Sequence, residues 1–281
     1  METTLNRIPC RFERPEPQKF AWPVLLLPEL FTTTAHLAVM LGYLATIGWE
    51  VYSPDLRAAA GQGGANALGR MGFSDLLTLA AEALDALDRP AIVIGHGLGG
   101  LLALKLAEER PLKAAVALAP LLPGVPNRLA AGWSNLAARW LGTPLKPPSG
   151  RTLFEFLFDL EPFQRPAMVK ALVADAAQAA RDVLAGSISF SPRKDLPPRL
   201  VIAGEVDTFA PLAKVTAWAE SIGAAVIVAK SRGHWLVGGR GLERTVGEAH
   251  RFLVRSLGQD LLLLFPEQWK SAPEDDESSS D

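Results

Sequence analysis

The sequence predicts an α/β fold, a mostly parallel sheet with helices on both faces, and two observations carry that expectation. Short apolar runs, each closed by a turn signal, alternate with helix-like stretches along most of the chain. The runs are rich in Val, Ile, Leu and Ala, as strands buried on both faces should be. In chain order they are AWPVLLLP (21–28), WEVYSP (49–54), PAIVIGH (90–96), KAAVALAP (113–120), RLVIAGE (199–205) and AAVIVAK (224–230). Helices are expected at about 34–47, 73–88, 98–109, 211–222 and 241–257, several with apolar residues at helical spacing.

One interval breaks the alternation, from Leu121 to Pro198. It is Pro-rich and contains Trp133, Trp140, Phe154, Phe156, Phe158 and Phe163. That composition suggests a helical insertion after one strand rather than another sheet unit. Such an insertion would cap a pocket at the carboxyl ends of the strands, where open α/β sheets bind ligands. The same aromatics would serve equally to pack the insertion onto the sheet. The expected organisation is one domain over 1–265, with core at about 20–120 and 199–257 and the cap insertion at about 121–198. The acidic, Ser-rich end, 266–281, reads as a disordered tail.

Composition narrows the function classes. The 281 residues are 49% hydrophobic and 21% charged, with a net charge of -2, which suits a globular domain with a sizeable core. The near balance of acids and bases gives no reason to expect a nucleic acid partner. A single cysteine, Cys10, excludes an internal disulfide and a thiolate metal cluster. No apolar run reaches the roughly 18–20 residues of a membrane span. The first twenty residues lack a basic segment followed by an apolar one, so the expected location is cytoplasmic. Oligomeric state is not legible.

The chemistry concentrates in GHGLGG, 95–100, between a strand and a helix. It matches the nucleophile elbow G-x-S-x-G at every position but the central one, where Gly97 stands. Gly95 and Gly99 allow the tight turn, and Gly100 allows close helix–sheet approach. Farther on, VIAGEVDTFAP places Asp207 just beyond a strand end, and VAKSRGHWLVGG places His234 in the loop after the last strand. Elbow, acid, histidine is the chain order of a Ser-His-Asp triad on alternating strands.

On these residues the sequence resembles the α/β-hydrolase superfamily over about 20–257, closest in character to capped esterase, lipase and haloperoxidase-like members. VYSPDLRAAAGQG is similar to the family's Pro-Asp-Leu-Arg-Gly-x-Gly stretch, and VIAGEVDTFAP to its acid loop. The resemblance implies Asp207 as the acid, His234 as the base and Gly97 at the nucleophile position.

Two departures fall on different parts of that mechanism. Gly97 has no side chain and cannot form an acyl-enzyme. In LLLPELFTTTAHL, Pro28, Glu29, Leu30 and Phe31 stand where the family usually has His-Gly for its oxyanion hole. A carboxylate there would oppose a developing oxyanion, although backbone N–H groups near Leu30 and Leu98 remain as donors. If Glu29 points into the pocket, ester hydrolysis is doubly disfavoured. Glu29 is otherwise expected to pair with Arg57, or to sit near the N-terminus of the helix after Thr32 to Thr34. Glu29, Leu30, Phe31, His96, Leu98 and Trp235 are the expected oxyanion and pocket residues, with His96 packed beside the site.

His36 and His250 fall within expected helices without metal-ligand spacing, and neither metal nor cofactor is expected. Gly95, Gly97 and Gly100 also satisfy G-x-G-x-x-G. A dinucleotide site wants an acid at the end of the next strand, and that strand ends in Ala119, Pro120 and Leu121.

Three functional readings stand. The first is a hydrolase-fold protein without covalent catalysis that binds a small hydrophobic ester-like or carbonyl molecule. The second is an enzyme using the His234–Asp207 dyad as general base, for lyase chemistry, proton transfer or water activation. The third is a serine hydrolase whose nucleophile was replaced by Gly97, against which the altered oxyanion loop argues.

Overall fold

The computed structural model describes residues 1–60, 65–126, 128–131, 141–193 and 195–262. Trp133, Trp140 and the acidic segment 266–281 lie outside the described residues.

Eight strands form one sheet: β1 (Glu2–Leu5), β2 (Ile8–Glu13), β3 (Val24–Leu27), β4 (Val51–Pro54), β5 (Ile92–His96), β6 (Ala114–Leu118), β7 (Arg199–Gly204) and β8 (Ala225–Ala229). Their spatial order is β1-β2-β4-β3-β5-β6-β7-β8. From β4 to β8 all pairings are parallel, and β1 and β2 join antiparallel at one edge. All six expected strands form, trimmed at their ends where the chain turns into loops. The edge hairpin was not expected from the sequence. Its turn, Asn6-Arg7, lacks the glycine that usually marks a tight hairpin, and Asn6 itself adopts a φ of 58°.

The five expected helices are α1 (Ala38–Thr46), α4 (Phe73–Asp85), α5 (Leu98–Glu109), α10 (Leu212–Ser221) and α11 (Leu242–Leu257), with α2 (Leu56–Ala60) and α3 (Ala65–Arg70) in addition. The first begins four residues later than its apolar pattern, because 32–37 form hydrogen-bonded turns. Between β6 and β7 the described residues form α6 (Arg128–Ala131), α7 (Gly150–Phe156), α8 (Arg165–Ala171) and α9 (Ala177–Ala185). Of the aromatics there, Phe156 is buried, whereas Phe154 and Phe163 face solvent. Among the described residues no helix is long and apolar enough to cross a membrane.

Strands β3, β5, β6 and β7 are buried along their length, which accounts for their unbroken apolar runs. The register places the site. Leu27 of β3 pairs with Gly95 of β5. Two residues farther along each strand lie Glu29 and Gly97, so the parallel ladder brings these two positions side by side.

Candidate active site

The turn from β5 into α5 is a tight strand-to-helix turn with Gly97 at its tip. Gly97 has φ 51° and ψ -110°, a left-handed conformation that L side chains rarely adopt. A β-carbon on Gly95 would lie 1.9 Å from the Gly99 carbonyl oxygen, so the tight crossing admits only glycine there. At Gly97 the obstacle is a side chain: a β-carbon would lie 1.1 Å from Glu29 Oε2. The carboxylate of Glu29 occupies the space in which a side chain at 97 would begin.

The two oxygens of that carboxylate take different partners. Oε1 accepts hydrogen bonds from the backbone N–H of Leu30, 2.5 Å, and of Leu98, 3.0 Å. These are the residue after the elbow position and the loop after β3, the two sources of an oxyanion hole in this architecture. Oε2 lies 3.0 Å from His234 Nε2. On the other side of the ring, Nδ1 lies 2.8 Å from Asp207 Oδ2. Asp207 Oδ1 accepts the N–H groups of Phe209, 2.7 Å, and Ala210, 3.1 Å, fixing the acid at the start of its loop.

Both ring nitrogens of His234 therefore face carboxylate oxygens, an arrangement in which a doubly protonated ring donates to both. The electrostatics agree. Burial works against the charged ring, but the charge and hydrogen bond of Asp207 and those of Glu29 outweigh it, and the His234 pKa is pushed up to about 10. His234 is an imidazolium held between two carboxylates, with both its side chain and that of Glu29 fully buried. The Glu29 carboxylate also lies at the N-terminus of α5, where its negative charge is favoured.

A model of the alpha/beta hydrolase family matches residues 21–248. The chain belongs to the alpha/beta hydrolase family. Solved structures similar to it include a monoacylglycerol lipase from Paleococcus ferrophilus, 18% identical over 88% of this chain and 100% of that one, with a TM-score of 0.64. A thermophilic esterase from Thermogutta terrifontis is 19% identical over 89% of this chain and 94% of that one, TM-score 0.61. A hydrolase from Pseudomonas aeruginosa is 21% identical over the same shares, TM-score 0.60. At these identities the likeness is one of fold. No curated protein matches the sequence.

Within this alpha/beta hydrolase frame, the expectation that Glu29 pairs with Arg57 needs correcting. Arg57 donates to the main-chain oxygens of Glu29, 2.7 Å, and Thr32, 2.5 Å, and its ion-pair partner is Asp175, at 2.5 Å. Asp175 also accepts the N–H of Phe31 at 2.5 Å. The Glu29 carboxylate is thereby left to the elbow, at the N-terminus of α5 rather than of α1. Its presence there also opposes a pyrophosphate on the Gly95–Gly100 turn.

The remaining expected residues support the cluster. Leu30 and Leu98 act through their backbone N–H groups, while the Phe31 side chain is core. His96 is buried and lies 2.7 Å, through Nε2, from the His234 carbonyl oxygen, so it holds the His234 backbone rather than the ring. Burial, and then the charge of His234, push its pKa down to about 3, which leaves it neutral. Trp235 stands edge-on to His96 and Phe156, with centroids at 5.8 and 5.2 Å.

Four contributors stand outside the residues expected at the site, Asp175 among them. Phe156 from the insertion and Phe209 from the acid loop pack on His234, with centroids at 5.8 and 5.2 Å. Asp159, also from the insertion, accepts from Arg232 Nε, 2.8 Å, and from the N–H groups of Gly233 and Trp235, both 3.0 Å, so it clamps the His234 loop on either side. Only the aromatic content of the insertion signalled any of this.

Proposed function

We propose that this protein is a non-hydrolytic member of the alpha/beta hydrolase family, its reaction centre converted into a buried Asp207–His234–Glu29 ion cluster. The observation that carries the reading is the Glu29 carboxylate. One of its oxygens occupies both backbone donors that would bind an oxyanion, and the other lies against the nitrogen that would take the nucleophile's proton. Acyl transfer has no nucleophile, no free base and no free oxyanion hole. The general-base reading is disfavoured for the same reason, since His234 Nε2 already carries its proton toward Glu29. The match between the missing side chain at 97 and the carboxylate that fills its place also favours a coordinated change over an isolated replacement of serine.

The role left is binding, with a small hydrophobic ester-like or carbonyl compound as the ligand class and the insertion over 121–198 as a cap. The packing of Phe156, from the insertion, on Phe209 and Trp235 supports the cap.

Hydrolysis of short and medium p-nitrophenyl esters tests the first part, beside His234→Ala. No turnover above the buffer rate is expected. Turnover in the unmodified protein that disappears with His234→Ala would overturn the reading. Short-chain ketones, titrated against the thermal midpoint, test the second. Saturable stabilisation is expected, and its absence removes the binding role.

A further inference from the structure

The last helix, α11, starts at Gly241 with no side-chain cap hydrogen bond. Its first N–H groups carry the partial positive charge of a helix N-terminus, and of these the Leu242 N–H bonds to the Gly239 carbonyl. A cavity of about 140 Å³ opens beside this end, lined among others by Ile202, Ile227, Arg232, Arg244 and Thr245. A second, of about 430 Å³, shares Lys230, Arg232 and Gly241 with it.

An independent observation concerns Arg232, only 6% exposed. Its Nε donates to Asp159 at 2.8 Å, and its Nη2 donates to the carbonyls of Trp235, 2.7 Å, and Gly238, 3.0 Å. Its Nη1 is buried without a hydrogen-bond partner. Nη1 faces the start of the helix, since a β-carbon on Gly241 would lie 2.7 Å from it. A buried charged donor left unpaired costs on the order of 1–3 kcal/mol or more, a cost that an acceptor bound beside Nη1 would offset.

The neighbouring charges show where an anion would be held. Lys230 is paired with Glu205, Arg240 with Glu161, and Glu248, which also lines the smaller cavity, with Arg251. Among the described residues Arg244 has no ion-pair partner, and Glu243, in the first turn, is exposed and does not line either cavity. We propose that the N-terminus of α11, Arg232 Nη1 and Arg244 form a binding site for a phosphate-type oxyanion, either free phosphate or the phosphoryl group of a small molecule. Helix N–H groups and a guanidinium are the usual partners of such a group. The apolar floor of Ile202 and Ile227 limits the ligand's body to a small one.

The test is calorimetric titration of the full chain with inorganic phosphate and, separately, methyl phosphate, at constant ionic strength against chloride. Arg244→Gln is the informative variant, because Arg244 is exposed and its loss leaves the Arg232–Asp159 clamp in place. Saturable one-site binding of either ligand is expected, weakened roughly tenfold by Arg244→Gln. Tighter binding of methyl phosphate would assign the site to phosphorylated molecules, and tighter inorganic phosphate to the free ion. No saturable binding of either, or an affinity unchanged in Arg244→Gln, overturns the proposal.

Discussion

Glu29 and Gly97 are complementary: the carboxylate oxygen of one stands 1.1 Å from where a β-carbon of the other would lie. A side chain can exist at 97 only if Glu29 leaves. Gly97→Ser alone should therefore cost about 1–3 kcal/mol or more, by overpacking together with the strain of φ 51°, and should not yield an esterase. Glu29→Ala/Gly97→Ser removes the clash, and it restores a serine beside His234 with both backbone donors free. In a double-mutant cycle the pair should lose less stability than the sum of the singles. The pair should also be the one variant of the three that turns over p-nitrophenyl acetate. Additive losses would show that Glu29 does not occupy the elbow.

Glu29→Ala by itself leaves two backbone donors and one face of an imidazolium unmet in a carboxylate-shaped hollow. Breaking a buried ion pair from one side costs about 3–5 kcal/mol. A small carboxylate that fits the hollow should return part of that loss by mass action. Acetate or formate should raise the thermal midpoint of Glu29→Ala and leave the unmodified protein unmoved, at matched ionic strength. An equal response from both proteins would mean that the hollow does not bind carboxylate.

The same contrast explains what the sequence could show. The six core strands were legible because the central ones, β3, β5, β6 and β7, are buried along their length and must be continuously apolar, and β4 and β8 carry apolar runs of the same kind beside them. Asp207 and His234 were legible because each follows a strand end in a fixed chain order. Glu29 was visible as a departure, but its destination depends on the pairing of Leu27 with Gly95, and register between strands separated by a further strand and four helices leaves no local trace. Asp159 and Asp175 were not legible at all. Each is an acid in the insertion whose partner, Arg232 on the His234 loop or Arg57 on α2, is distant in the sequence.

Stability should depend on pH through two buried histidines acting in opposite directions. The folded pKa of His234, about 10, lies above its ordinary 6.5. The contribution of the protonated ring is then complete below about pH 6.5 and is lost as pH rises toward 10. His96 has its folded pKa lowered to about 3, so the unfolded chain takes up a proton first and stability falls as pH drops below 6.5. Thermal midpoints should peak near pH 6.5, with an alkaline decline that His234→Gln flattens. An alkaline limb unchanged in that variant would place its origin elsewhere.

The loop that delivers Glu29 is held from the insertion, and this makes Asp175 a positioning residue. Phe31 sits in that loop at φ 66°, a conformation costing on the order of 1–2 kcal/mol. Asp175 holds it there through the Phe31 N–H and through Arg57, which in turn grips the main chain at Glu29 and Thr32. Asp175→Asn should cost about 3–5 kcal/mol, because it leaves Arg57, only 11% exposed, without its nearest counter-charge. A structural loss alone would lower the thermal midpoint at every pH alike. Release of the loop would also loosen Glu29 from His234, so the alkaline decline should begin at lower pH in Asp175→Asn. Leu84→Ala, a core deletion in α4 away from the loop, supplies the comparison. If both variants keep the unmodified protein's alkaline midpoint, Asp175 stabilises the fold without positioning Glu29.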